Sequence, residues 1–351
     1  MSTLLSQGGF GCIYYPGLTC SGKSTTKTNI VSKLQYNDTS GKNEKLVSDI
    51  VKTIKDYRIF FIPVNTSCAI SLQNLDPSLL DNCAAINTAV TNDLLLLDLD
   101  YEENIGINNI LTNSSSIVVK KNKFIKLIET YKYLLLAIEK LLSVKVVHFD
   151  LKKENILFST QKNVPLIIDF GLSIPMKDVN DDTIKQWFYA YIPQYFLWPP
   201  EVHLLCYLLH NEKTLTKETI INIVNDCINY NSSLLIFSKE LKTKLIEAYI
   251  THLSKYISMP FKEVQEDILK YYKTWDNYSI SIMYLLILYD IFPRGFTYNK
   301  FIILFTQMLL TNISPKLDNR LSIKDNLVQY NNLFYMEDNI SSFNELVINL
   351  F

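Results

Sequence analysis

Two short polar stretches, each held between apolar runs, constrain this chain more than any other feature: "VKVVHFDLKKENILF" and "VPLIIDFGLS". Apolar runs that short, flanking polar groups, read as strand ends that hold a site. In order they present a carboxylate (Asp150), an ammonium (Lys152), a carboxamide (Asn155) and a second carboxylate (Asp169), the last followed by an aromatic residue and Gly171. A fold that can use them must bring these groups to one place.

The rest of the chain sets the scale. At 351 residues it can bury a sizeable core, and two lobes are the natural expectation. A composition of 48% hydrophobic and 20% charged residues leaves little room for a long disordered tail. A formal net charge of −1 argues against a nucleic-acid partner or a membrane surface. The longest apolar run, "SISIMYLLILYDIF", is shorter than a membrane span and contains Asp290, so it reads as a buried central helix. Six scattered cysteines without C-x-x-C spacing read as reduced thiols of a cytoplasmic protein. "MSTLLSQGGF" lacks the pattern of a signal peptide.

Residues 1–100 mix strand-like pieces ("GCIYYP", "NIVSKLQY", "IFFIPV", "DLLLLDLDY") with one helical stretch, "NEKLVSDIVKTIKDY". Its apolar stripe would be Leu46, Val47, Ile50, Val51 and Ile54. From about Asn122 the pattern is mainly helical, beginning with a long amphipathic helix that runs from Phe124 to Leu142. Beyond Pro199 the chain reads as helix after helix, without internal repeat.

Phosphoryl transfer from Mg-ATP needs the four groups named above: a carboxylate to orient the acceptor hydroxyl, a cation beside the transferring group, and oxygen ligands for the metal. The catalytic-loop and D-F-G patterns here closely resemble those of the eukaryotic protein kinases, and the resemblance spans most of the chain. It implies an α+β, bilobal protein-kinase-like fold: a small β-rich lobe over 1–98 with one main helix, and a large helical lobe over 99–351. It further implies Asp150 as catalytic base, Lys152 on the γ-phosphate, Asn155 and Asp169 on Mg2+, and ATP as phosphoryl donor. A lysine at position 152 is similar to the serine/threonine group. Protein substrates would be the partners, with no nucleic acid and no membrane.

Near the N-terminus, "SQGGFGCIY" resembles the kinase glycine-rich loop, with Gly8 and Gly11 as its second and third glycines and Ser6 where the first is usual. By the same resemblance Ile13, Val31 and Leu157 would pack on the adenine, and Lys33 of "IVSKLQ" would hold the phosphates. Glu44 would pair with Lys33, with Asp49 as the alternative. "GLTCSGKS" fits the Walker pattern letter for letter, yet it lies between two strand-like pieces and opens no helix. It reads as an exposed hairpin turn.

Further along, "WPPE", "WDNYSISIMYLL" and "PKLDNRLS" resemble the closing kinase motifs. They imply a buried Glu201–Arg320 ion pair and an Asp276 that bonds back to the catalytic-loop backbone. Phe149 stands where arginine is usual, and Ser281 where glycine is usual. Without that arginine a phosphorylated Thr183 or Ser173 has no obvious charge partner, so activity is expected not to need activation-loop phosphorylation. Residues 202–270 exceed the usual connection and read as a helical insertion, a brace for the large lobe or a dock for a protein partner. Glu154, Asp178, Asp181 and Asp182 would favour basic acceptor sequences, or are simply solvated acids. The narrower resemblance is to kinases of large nucleocytoplasmic DNA viruses, which would place the protein in host cytoplasm, with virion packaging as a further option. A pseudokinase that only binds nucleotide or protein is the alternative reading.

Overall fold

The computed structural model describes residues 2–86, 93–107, 117–211, 214–292 and 299–349. The chain forms two compact units, Met1–Ile105 with Asn155–Ser173, and Gly106–Glu154 with Ile174–Phe351. The first is built on a sheet and the second on helices.

In the first unit, β1 (Thr3–Gly8), β2 (Gly11–Tyr15), β3 (Ile30–Tyr36), β4 (Thr66–Ser71) and β5 (Asp93–Asp100) form an antiparallel sheet in the order β1-β2-β3-β5-β4. Successive side chains of a strand point to opposite faces. On β3, accordingly, Leu34 joins a core with Cys12, Tyr14, Ile70 and Leu96, whereas Val31 joins the other, with Leu95, Leu97 and Leu166. Lys33, two residues from Val31, lies on that second side and is 6% exposed.

One helix, α1 (Thr39–Val51), follows β3; Asp38 caps it by accepting from the Gly41 amide at 2.9 Å. Its buried positions include Glu44, Val47, Ser48 and Val51, the spacing of one helical face. The helix therefore starts earlier and ends earlier than its hydrophobic pattern suggests, and Leu46 points outward at 47% exposure. Glu44 takes an inward position instead. "IFFIPV" is not a strand: a 3-10 turn over Tyr57–Ile59 leads to a single parallel bridge, Phe61 to Ile167. Pro63 lies two residues further on, and a proline has no amide to extend a ladder. A short helix, α2 (Pro77–Leu80), completes the segment before β5.

Two disulfides, both in this unit, overturn the reduced-thiol reading for four of the six cysteines. Cys12 on β2 is joined to Cys83, just past α2, and Cys20 in the β2–β3 connection is joined to Cys68 on β4. The Cα atoms stand 5.9 and 6.0 Å apart, within bridging range. The cytoplasmic assignment loses the support it drew from reduced thiols, since disulfides belong chiefly to oxidising compartments. Alkylation of denatured, unreduced protein should label only Cys206 and Cys227, both free and buried, and prior reduction should expose all six. Reduction should also lower Tm by several degrees, each bridge being worth about 2–4 kcal/mol.

A second, three-stranded sheet pairs β6 (Asn104–Gly106) with β8 (Ile156–Ser159) and β9 (Pro165–Ile167). Helix α3 (Ile117–Ser143) opens the helical unit, with Phe124, Leu127, Ile128, Tyr131, Leu134, Leu135, Ile138 and Leu141 buried as its spacing predicts. β7 (Val146–Val147) pairs with β10 (Ile174–Pro175), and α4 (Ile184–Trp187) follows. Then come α5 (Pro200–His210), α6 (Lys217–Asn229), α7 (Lys239–Leu253), α8 (Phe261–Leu269), α9 (Trp275–Ile291), α10 (Lys300–Asn312), α11 (Ile323–Tyr335) and α12 (Glu337–Asn349). Helix α9 is buried on almost every side, which explains why its sequence is apolar all round. Among the described residues no helix is long and apolar enough to cross a membrane.

Candidate active site

In the first unit, Ser6 pairs with Ile13 and Gly8 with Gly11 across the β1–β2 hairpin. A Cβ on Gly11 would come within 2.5 Å of the Leu34 carbonyl oxygen, so only glycine lets β2 lie this close to β3. Ile13, Val31 and Leu157 share one apolar cluster with Val64, Leu97 and Leu166. The three residues expected to cover a purine are therefore gathered by the fold. "GLTCSGKS" is a tight turn closed by the Leu18–Ser24 bridge, with Gly22 at φ 77°. It leads into β3 rather than into a helix, and so lacks the amide cradle of a Walker loop.

Lys33 is the centre of the polar cluster in this unit. Its Nζ donates to Glu44 Oε2 at 2.7 Å and to Asp169 Oδ1 at 3.0 Å. Glu44 is 1% exposed and also accepts from Gln35 Nε2 at 3.4 Å. Asp49, the alternative partner, is instead engaged by Lys45 and Lys52 on the outer face of α1. Burial works against the Lys33 charge, but the carboxylates of Glu44 and Asp169 outweigh it and hold the ammonium well above the ordinary lysine range. Burial pushes Glu44 upward, opposed by Lys33. The lysine is thus a fixed positive charge.

Asp169 adopts φ 64°, a left-handed conformation uncommon for a non-glycine residue and a mark of functional positions. Its Oδ1 also accepts from the Gly171 amide at 3.4 Å. Asn43 of α1 clamps the segment that follows, donating to the carbonyls of Gly171 at 3.0 Å and Ser173 at 2.9 Å. Asn155 and Asp169 lie at the same end of the β8–β9 hairpin, where the Ile168 amide donates to the Asn155 carbonyl at 3.0 Å. Among the described residues no group of three His, Cys, Asp or Glu could cage a metal. One carboxylate and one carboxamide do suit Mg2+, which fills most of its shell with water and phosphate oxygens.

Asp150 and Lys152 belong to the second unit. Lys152 Nζ donates to Asp150 Oδ2 at 2.8 Å, and the Tyr195 hydroxyl donates to Oδ1. The loop is braced from below: Asp276 accepts from the amides of His148 at 2.8 Å and Phe149 at 2.9 Å. Phe149 has φ 66° and fills a buried aromatic box, stacked on Trp198 with centroids 4.4 Å apart and edge-on to Phe188 at 5.6 Å. Trp198 Nε1 closes it by donating to the Phe149 carbonyl at 2.6 Å. Apolar packing here occupies the place where the resemblance led one to expect an arginine.

Glu201 and Arg320 form the expected pair, bidentate at 2.5 and 3.0 Å, with neither side chain exposed. Ser281, the other departure, is absorbed by a buried network: its Oγ donates to the Asn277 carbonyl at 2.7 Å and accepts from Asn312 at 3.1 Å. Asp181 is turned toward α8, where Lys262 and Gln265 engage it, so one of the four carboxylates credited with recruiting basic sequences is already in use.

Tyr195, Asn43 and His203 were not legible as site residues, because their partners lie far off in sequence or carry no motif. His203 is fully buried, its Nε2 bonded to the Tyr195 carbonyl at 3.0 Å, and burial pushes its imidazole down to about 4. Between that value and 6.5 the unfolded chain binds one more proton than the folded chain, so stability is lost as pH falls through this window. The loss should reach about 3 kcal/mol near pH 4. Thermal melts should show a shallower fall of Tm from pH 6.5 to 4 in His203→Gln than in the parent.

A family model described as "Protein kinase domain" matches residues 80–202, less than half of the chain. No curated protein matches the sequence. Among solved structures, the autoinhibited serine kinase domain of the giant muscle protein titin is similar at 13% identity and a TM-score of 0.45. That match covers 94% of this chain and 78% of the titin chain; a likeness at this level adds nothing to the argument on activity. The fold is α+β and protein-kinase-like, with a β-sheet N-terminal region and a helical C-terminal region.

Proposed function

We propose that the chain is an ATP-dependent protein kinase that transfers the γ-phosphoryl group to serine or threonine hydroxyls. The observation that carries this is the Lys33 ammonium fixed between buried Glu44 and Asp169. A cation so placed suits the phosphates of a nucleotide whose base packs on Ile13, Val31 and Leu157. Mg2+ bound to Asn155 and Asp169 would neutralise charge developing on the transferring group. Asp150 would orient the acceptor hydroxyl, with Lys152 beside it as the cation for the γ-phosphoryl group. The aromatic box around Phe149 supports activity without activation-loop phosphorylation, since apolar packing orders that loop with no phosphate needed.

The test is transfer of label from ATP to a generic basic protein. Asp150→Ala should cost about 10²–10⁴-fold, in the range of a lost general base. Equal transfer by parent and variant would end the reading, and ATP binding without transfer would leave a nucleotide-binding module. ATP binding should weaken in Lys33→Ala but not in Lys23→Ala; the reverse would restore the Walker loop.

A further inference from the structure

The helical unit carries a groove that phosphoryl transfer does not use. It runs between α10, α11 and the start of α12, with a volume of about 360 Å³. That lies within the range of ligand-binding clefts, about 300–1,000 Å³. Met308 of α10 and Leu333 of α11 are buried and form its floor, while Met336 stands at the rim, 60% exposed. Four carboxamides line it as well: Gln307 from α10, Gln329 and Asn332 from α11, and Asn339 from α12. No residue of the lining is charged.

The carboxamides are unspent. Those of Gln307, Gln329 and Asn332 are exposed and make no hydrogen bond among the described residues. Asn339 is only 5% exposed, and its one bond is a long one, from Nδ2 to the Asn332 carbonyl at 3.5 Å. Its Oδ1 has no partner among the described residues, so one has to come from the groove.

We infer that this groove docks an extended, uncharged segment of a partner protein, its backbone bonded to the carboxamides and an apolar side chain seated on Met308 and Leu333. A carboxamide sets a donor beside an acceptor, which is the complement of a peptide group. Extended peptide arrives with its N–H and C=O groups free, whereas a helix arrives with them already paired and would leave the four carboxamides unanswered. A nucleic acid or an anionic membrane needs lysine or arginine in the lining, and there is none. A charged side chain would leave water to meet no opposite charge. Methionines at floor and rim adapt to differing apolar shapes, so absence of charge, rather than one particular anchor, sets the preference.

The inference is independent of the proposed function, and its test needs no activity. A library of short synthetic peptides, acetylated and amidated at their ends, is titrated against the full chain carrying methyl-labelled methionines. Uncharged peptides with an apolar centre should bind and move the Met308 and Met336 signals, while that of Met283 on α9 stays in place. Loss of one hydrogen bond sets the expected rise in Kd at about fivefold in Gln329→Ala and again in Asn332→Ala. Both side chains are exposed, so the fold should survive; Val328→Ala, exposed on α11 outside the groove, should leave Kd unchanged. No saturable binding overturns the inference, as does selection of acidic or basic peptides. A Kd unmoved by both carboxamide variants overturns it too. So do a helical amide-shift pattern in the bound peptide, competition by phosphatidylcholine vesicles, and methionine signals that move on dilution of the chain alone, the mark of a second copy in the groove.

Discussion

Arg320→Ala should unfold at a much lower denaturant concentration than the parent. Glu201 and Arg320 are both fully buried, and the guanidinium also donates through Nε to the Ser314 carbonyl at 3.0 Å and lies over the Tyr278 ring at 5.3 Å. Deleting the cation strands a carboxylate in a low-dielectric interior, which costs about 3–5 kcal/mol. That is a large share of the roughly 5–15 kcal/mol by which a domain is stable. Arg320→Lys should rescue poorly, because one ammonium cannot serve two carboxylate oxygens and a carbonyl in the same plane. The double variant Glu201→Met with Arg320→Met should be milder than Arg320→Ala, since it leaves no unpaired charge. Chemical denaturation of the four proteins decides; an Arg320→Ala midpoint equal to that of the parent would refute the account.

The second large effect is expected at Lys33. Lys33→Met should reduce phosphoryl transfer by about 10²–10³-fold, as for loss of one preorganised electrostatic group. It should also change the response to pH. Without Lys33, Glu44 keeps burial, which raises its carboxyl, and the nearby Asp169 charge, which raises it too; only Gln35 opposes. A carboxyl whose folded pKa lies above its unfolded value binds more protons in the folded chain, so stability falls as pH rises above about 4.5. The variant should therefore be most stable relative to the parent in mild acid and lose ground toward neutrality. Glu44→Gln added to Lys33→Met should remove that slope, and melts from pH 4 to 8 would show it.

How much of this was legible depended on the range of the signal. Asp150, Lys152, Asn155 and Asp169 announce themselves because their chemistry is packed into two short stretches with a fixed order. The Glu201–Arg320 pair was readable across a long separation because each partner carries its own local motif. Leu46 misled because a hydrophobic stripe records the average preference of a helix face. The inward positions of α1 went to Asn43 and Glu44, whose partners are the Gly171 and Ser173 carbonyls and Lys33. The cysteines misled for a related reason: their spacing carries no pairing information, and only the packing of β2, β4 and the α2 segment brings the sulfurs together.

By itself, then, the sequence determined which chemical groups the protein has to offer, the order in which they come, and the alternation of sheet and helix that carries them, since periodicity and motif are properties of neighbours along a chain. The tertiary structure alone decided that Glu44 rather than Asp49 meets Lys33, that four cysteines are bridged, and that a tyrosine holds the Asp150 carboxylate. Each of those outcomes depends on ångström-scale approach between residues distant in sequence. That approach is set by the packing of whole elements, to which no local pattern gives access.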